Sequence, residues 1–250
     1  MAASMISLPP AACCTKLSKH EGATTGTVEK IGDIDAYFAR PADNSNEKAI
    51  IIFGDIFGIY QNIKLVADSF AARGFLAVVP DMLDGDSLST EDYDNKNVDI
   101  PGWLQRHLPD AVDPIVEKVI SHLRETLKVK KIAGVGYCYG ARYVVRNLKK
   151  GEGLLDAGYL AHPSFITTEE FRAITKPVSI AASEIDNIFT RENRYEAEKI
   201  LVDQNVPFQI NVYGGVEHGF ALRADMSVKK NLYAMEDAFK QATNWFENWL

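Results

Sequence analysis

The stretch Gly134-Val135-Gly136-Tyr137-Cys138-Tyr139-Gly140-Ala141 decides how this chain folds. Ahead of it the apolar run Ile132–Gly136 predicts a strand, and behind it Arg142–Lys149 has helical character. Between them stands Gly-x-Cys-x-Gly at a strand-to-helix turn. This is the form of a serine nucleophile elbow, with a thiol in place of the hydroxyl. The glycines answer a steric demand, because a nucleophile on so tight a turn leaves no room for Cβ atoms two residues to either side. The turn also aims the sulfur at a helix N-terminus, where partial positive charge favours the reactive thiolate.

Further strands are predicted at Ala49–Phe53, Leu76–Pro80, Tyr159–Ala161, Val178–Ala182 and Phe208–Tyr213. They are short and apolar, as parallel strands covered on both faces are. Helical stripes lie between and after them. Ile63, Val66 and Phe70 share a face, with Gly74 as a C-cap. Val112, Ile115, Val116, Val119, Ile120, Leu123 and Leu127 form a second stripe, and Leu232, Met235, Phe239, Ala242, Phe246 and Trp249 a third. The alternation predicts an α/β protein, a mostly parallel sheet with helices on both faces, preceded by an antiparallel hairpin in residues 26–40. Residues 16–250 are expected to form one domain and residues 1–15 a flexible arm. Asp81–Pro109 has no strong period and many acidic residues. It is either a lid or binding loop, with Trp103 folded over a pocket, or a solvated excursion.

A thiol nucleophile needs a base and an orienter, and these are expected later in the chain, acid before histidine. Asp186 follows the strand at 178–182, and His218 follows the strand at 208–213. Both fall at carboxyl ends of strands, the edge where open α/β sheets place ligands. Cys138, Asp186 and His218 are therefore the predicted catalytic set, with Glu184 the rival orienter. His162 ends a strand and is a candidate for pocket lining, whereas His20, His107 and His122 follow no late strand.

Composition narrows the function. The chain has 250 residues, 27 basic and 34 acidic, for a net charge of −7. An acidic chain without a basic block is a poor match for nucleic acid or an anionic membrane surface. No apolar run approaches the length of a membrane span. Three cysteines, Cys13, Cys14 and Cys138, do not make a disulfide framework, so a reducing, cytoplasmic compartment is expected. No metal cluster is apparent, and no cofactor is needed. Three further readings compete. One is a non-enzymatic protein of the same fold, a sensor or interaction protein, against which the intact set Cys138, Asp186 and His218 argues. Gly134 to Gly140 also fits a loose dinucleotide-binding pattern, but no acidic residue ends a clear following strand about 20 residues on. A thiol redox protein would want a Cys-x-x-Cys pair, which is missing.

From about Cys13 to the C-terminus the sequence resembles the dienelactone hydrolase family, particularly its fungal cytosolic branch. The resemblance rests on Gly136–Gly140, Asp186, His218-Gly219-Phe220, Gly54–Gly58, Val79-Pro80-Asp81, Trp103–His107 and Ala161–Phe165. It implies an eight-stranded α/β-hydrolase fold without a bulky cap. It also implies hydrolysis of a small ester or lactone, of the carboxymethylenebutenolidase type, through an acyl-cysteine. The backbone N–H groups of Tyr139 and Ile56 are the expected oxyanion donors. Asp55 occupies the place of a family glutamate that meets the resting thiol. Arg223 lies one position beyond a family arginine that binds substrate carboxylate. Phe57, Tyr137, Trp103 and His162 complete the expected substrate contacts. The expected partner is a small-molecule ester or lactone, and the expected assembly a monomer or homodimer.

Overall fold

The structure is a computed structural model, and it describes residues 4–11, 17–89, 98–151 and 154–250. Eight strands form one sheet: β1 (Thr27–Ile31), β2 (Ile34–Ala39), β3 (Lys48–Phe53), β4 (Leu76–Pro80), β5 (Lys131–Tyr137), β6 (Ala157–Ala161), β7 (Val178–Ile185) and β8 (Phe208–Glu217). Their spatial order is β1-β2-β4-β3-β5-β6-β7-β8. The β1–β2 hairpin is antiparallel and β2 pairs antiparallel with β4, while every later pair is parallel. This is the mostly parallel eight-stranded sheet that the sequence implies.

Side chains alternate across the strands, so each central strand feeds two cores. Ala49, Ile51 and Phe53 of β3 pack on one face with Val112, Val116, Val119 and Val144. Ile50 and Ile52 pack on the other with Ile63, Phe70, Ala242 and Phe246. All five β3 residues are fully buried, and each large one contributes about 1.5–3 kcal/mol by leaving water. The first face is covered by α2 (Ile100–Arg106), α3 (Pro109–Ser121) and α4 (Ala141–Arg146), then α5 (Thr168–Arg172) and α6 (Arg191–Gln204). The second is covered by α1 (Gln61–Ala71), α7 (Phe220–Arg223) and α8 (Lys229–Trp249).

Two differences from expectation have physical reasons. The buried line of α8 runs through Ala234, Ala238, Ala242, Trp245 and Phe246, whereas Trp249 is 38% exposed. Small alanines let the helix approach the sheet closely, so the contact ridge follows them rather than the bulkiest side chains. The end of α1 is as expected: Gly74 closes it at φ +89°, its N–H donating to the Ala71 carbonyl and that of Phe75 to the Phe70 carbonyl. Ser4–Leu8, inside the expected arm, is held by hydrogen bonds: Ile6 and Ser7 donate to the Ile166 carbonyl, and Leu8 to that of Ile188. Ile6 is 1% exposed.

The acidic segment is partly organised. Asp99 caps α2 by accepting from Gly102, and Asp86 accepts from Arg106 and meets His107 Nε2 at 2.9 Å. Glu91, Asp92 and Asp94 lie outside the described residues, as do Cys13 and Cys14. Among the described residues no helix is long and apolar enough to cross a membrane.

Candidate active site

Strand β5 delivers Cys138 to the carboxyl edge of the sheet. A tight 3-10 turn, Cys138–Gly140, leads into α4. Cys138 has φ +51°, a left-handed conformation that is strained for a residue with a Cβ. The flanking glycines make the strain sustainable. A Cβ on Gly136 would lie 2.4 Å from Ala141 Cα, and one on Gly140 2.1 Å from the Phe53 carbonyl oxygen. Those contacts press the turn against the end of β3. They bring Tyr139 beside the Gly54–Tyr60 loop that carries the buried Ile56. The Cys138 sulfur is buried and lies 3.5 Å from Ser164 Oγ, and Ser164 N–H donates to the Cys138 carbonyl at 3.0 Å.

His218 follows β8, and its Nδ1 lies 2.9 Å from Asp186 Oδ2. Asp186 is held in turn: Ser183 Oγ donates to Oδ2 at 2.8 Å, and Ile188 and Phe189 N–H donate to Oδ1 at 2.8 and 3.0 Å. Burial pushes this carboxyl upward, but the His218 bond and charge with the two N–H groups hold it below its ordinary value. Burial likewise opposes charge on His218. The negative charge of Cys138 and the Asp186 bond outweigh it and raise the imidazole to about 10. The Nε2 nitrogen has no fully formed hydrogen bond, yet the sulfur is near enough to act on the ring. Catalytic contacts often tighten only with substrate bound. The rival Glu184 is used elsewhere, accepting from Gly215 N–H at 2.6 Å.

A second charged group adjoins the thiol. Asp55 and Arg223 form an ion pair of 3.1 Å whose side chains are 0% and 1% exposed. Tyr60 hydroxyl and Phe57 N–H also donate to Asp55, and Arg223 stacks over the Phe57 ring at 5.6 Å. Burial lifts the Asp55 carboxyl to about 6; Arg223 pulls it down and the Cys138 charge pushes it up. Replacing Arg223 by leucine leaves a buried carboxyl without its cation. At pH 8 the expected loss is about 3–5 kcal/mol, read from the urea midpoint. At pH 5 the carboxyl can take a proton, so the loss is smaller.

The remaining expected contacts are spread around the elbow. His162 is fully buried, with ring centroids 5.0 Å from His218 and 5.9 Å from Tyr137. Trp103 meets Tyr139 at 5.5 Å and donates from Nε1 to the Asp86 carbonyl. Trp103 and the Tyr139 ring thus pack beside the turn, with the Tyr139 hydroxyl on the His107 carbonyl. Tyr137 faces the opposite core. A hollow of about 730 Å³ between α1 and α8 touches the site's surroundings only through Tyr137, Ala221 and Leu222. Ser164 was not foreseen. Its only signal was its place in Ala161-His162-Pro163-Ser164, at the end of the strand beside β5.

The chain matches the model of the dienelactone hydrolase family over residues 34–250. It is 47% identical to hydrolase pyvD of Aspergillus violaceofuscus, covering 98% of this chain and 99% of that protein. It is 31% identical to dienlactone hydrolase 1 of Gibberella moniliformis, covering 98% and 96%. Among solved structures, a dienelactone hydrolase-like promiscuous phosphotriesterase from metagenomic libraries superposes with a TM-score of 0.72. It is 17% identical and covers 91% of this chain and 99% of that one. With that match over most of its length, on the sheet and elbow described, the chain is a hydrolase and belongs to the dienelactone hydrolase family.

Proposed function

We propose that this hydrolase opens a small ester or lactone through an acyl intermediate on Cys138, with His218 as proton carrier and Asp186 as its orienter. The observation that carries the reading is the 2.9 Å Asp186–His218 contact beside a buried sulfur on a strained turn. Relatives named dienlactone hydrolase and carboxymethylenebutenolidase homolog support the ester or lactone class.

Asp186 accepts a hydrogen bond from Nδ1–H, which leaves Nε2 as the nitrogen that exchanges a proton with the thiol. The Cys138 thiolate attacks the carbonyl carbon, forming the C–S bond as the π pair moves to oxygen. Tyr139 and Ile56 N–H groups are the proposed donors to that oxyanion. Collapse breaks the C–O bond, and the imidazolium of His218 gives its proton to the departing oxygen. Water then reverses the sequence and frees the thiolate. A thiolate suits an activated ester or lactone because it is a strong nucleophile and a good leaving group. Buried against Asp55, Arg223 is a partly neutralised cation, better suited to a polar or singly charged substrate end than to a highly anionic one.

The test is mass spectrometry of the enzyme quenched during turnover of a lactone and ester library. An acyl adduct on the peptide carrying Cys138 is expected. Turnover with no adduct there, even at the shortest quench, would overturn the assignment.

A further inference from the structure

His162 stands out because its burial goes unused by the fold. It is 0% exposed, and neither ring nitrogen has a hydrogen-bond partner. Buried polar atoms are normally paired, and an unpaired one calls for an explanation. Its backbone is also held at φ +38°, a left-handed conformation rare for histidine. Packing alone would be served as well by phenylalanine, without burying two polar atoms.

Its place is specific. Tyr137 pairs with Ala161 across β5 and β6, so the next residues, Cys138 and His162, leave the sheet edge side by side. The ring meets His218 edge-to-face, with centroids 5.0 Å apart and planes at 64°. The proposed oxyanion donors lie on the β3 side of β5, whereas His162 lies on the β6 side. A carbonyl bound at Cys138 therefore turns its oxygen away from His162. The group that departs, and the water that later replaces it, lie on the His218 side. Burial, then the neighbouring charges of His218 and Arg223, keep the ring neutral. A neutral imidazole offers one acceptor nitrogen and one N–H donor.

We propose that His162 positions the water that hydrolyses the acyl-cysteine, an inference that rests on the acyl-Cys138 reading above. The water gives one proton to His218 Nε2 while its oxygen bonds to the thioester carbon. Its second hydrogen is held by the unprotonated nitrogen of His162. Collapse of the tetrahedral intermediate breaks the C–S bond and returns the thiolate beside the His218 imidazolium. His162 neither gains nor loses a proton.

The test is pre-steady-state hydrolysis of 4-nitrophenyl acetate by wild type, H162F, H162L and H162N. The phenylalanine and leucine variants should keep a nitrophenolate burst near one per enzyme, since acylation uses no water. Their steady-state rate should fall by roughly 100-fold, with acetyl-Cys138 accumulating in the intact mass, and H162N should recover part of it. Using two apolar variants guards against one that does not fold. Wild-type steady-state rates in either, or a parallel loss of burst and steady state, would overturn the role. A wild type that turns over without acetyl-Cys138 would instead sink the acyl-cysteine reading itself.

Discussion

Cys138→Ala should retain the fold and lose hydrolysis, with kcat down by about 10⁴-fold or more on an activated aryl ester. The substitution removes only the sulfur. Alanine has the same Cβ at φ +51°, so the turn bears no new strain, and the 3.5 Å approach of the sulfur to Ser164 Oγ is too weak a contact to hold the fold. The circular dichroism spectrum should therefore match wild type. A further readout separates chemistry from packing. The negative charge that helps hold His218 near 10 disappears, so its imidazole should titrate lower in the variant, as followed by NMR of the ring protons. Retained turnover in the alanine variant would transfer the chemistry to another nucleophile.

Asp186→Asn should cost about 10⁴-fold in kcat, the scale expected when the orienter presents the wrong tautomer. The amide can donate to Nδ1, which sends the ring proton to Nε2 and closes the nitrogen that must accept from the thiol or from water. Ser183 and the two N–H groups still hold the side chain, so the loss is chemical more than structural. Stability should also change with pH in a defined sense. His218 is raised above its ordinary 6.5 to about 10, so it stabilises the fold fully below 6.5 and progressively less towards 10. Asp186 is lowered, so its contribution is present above its ordinary 3.8 and lost in acid. The stability gap between wild type and variant is then widest between about pH 4 and 6.5. Urea midpoints across pH 3 to 10 check this, and a gap constant over that range would contradict the ion pair.

The sequence was most legible where geometry tolerates few residues. Gly136 and Gly140 sit where a Cβ would meet backbone at 2.4 and 2.1 Å, so the motif and the elbow are nearly the same statement. Apolar runs between turns locate β3 to β7 because both faces of each are buried over most of its length; β8 is a partly exposed edge strand, yet Phe208 and Ile210 still pack on the core. Local pattern told less where long-range contacts decide. The pairing of Asp55 with Arg223 depends on how α7 turns after Gly219, and Ser164 reaches the sulfur only because β6 lies next to β5. For the segment with Trp103 the sequence leaves two readings open, a loop over a pocket or a solvated excursion. Trp103 reaches the elbow by way of Tyr139, since its indole N–H needs the Asp86 carbonyl.

Ser4–Leu8 carries a consequence for biosynthesis. Ile166 N–H donates to Ser7 Oγ across 159 residues of sequence, and Ile188 lies further still. Ser4–Leu8 can therefore settle only after partners made long after it. Contacts so distant along the chain form slowly, and these ones brace the segments that carry Ser164 and Asp186. The thiol turn is made 80 residues before His218, so no working site forms until the two loops and that histidine have followed it.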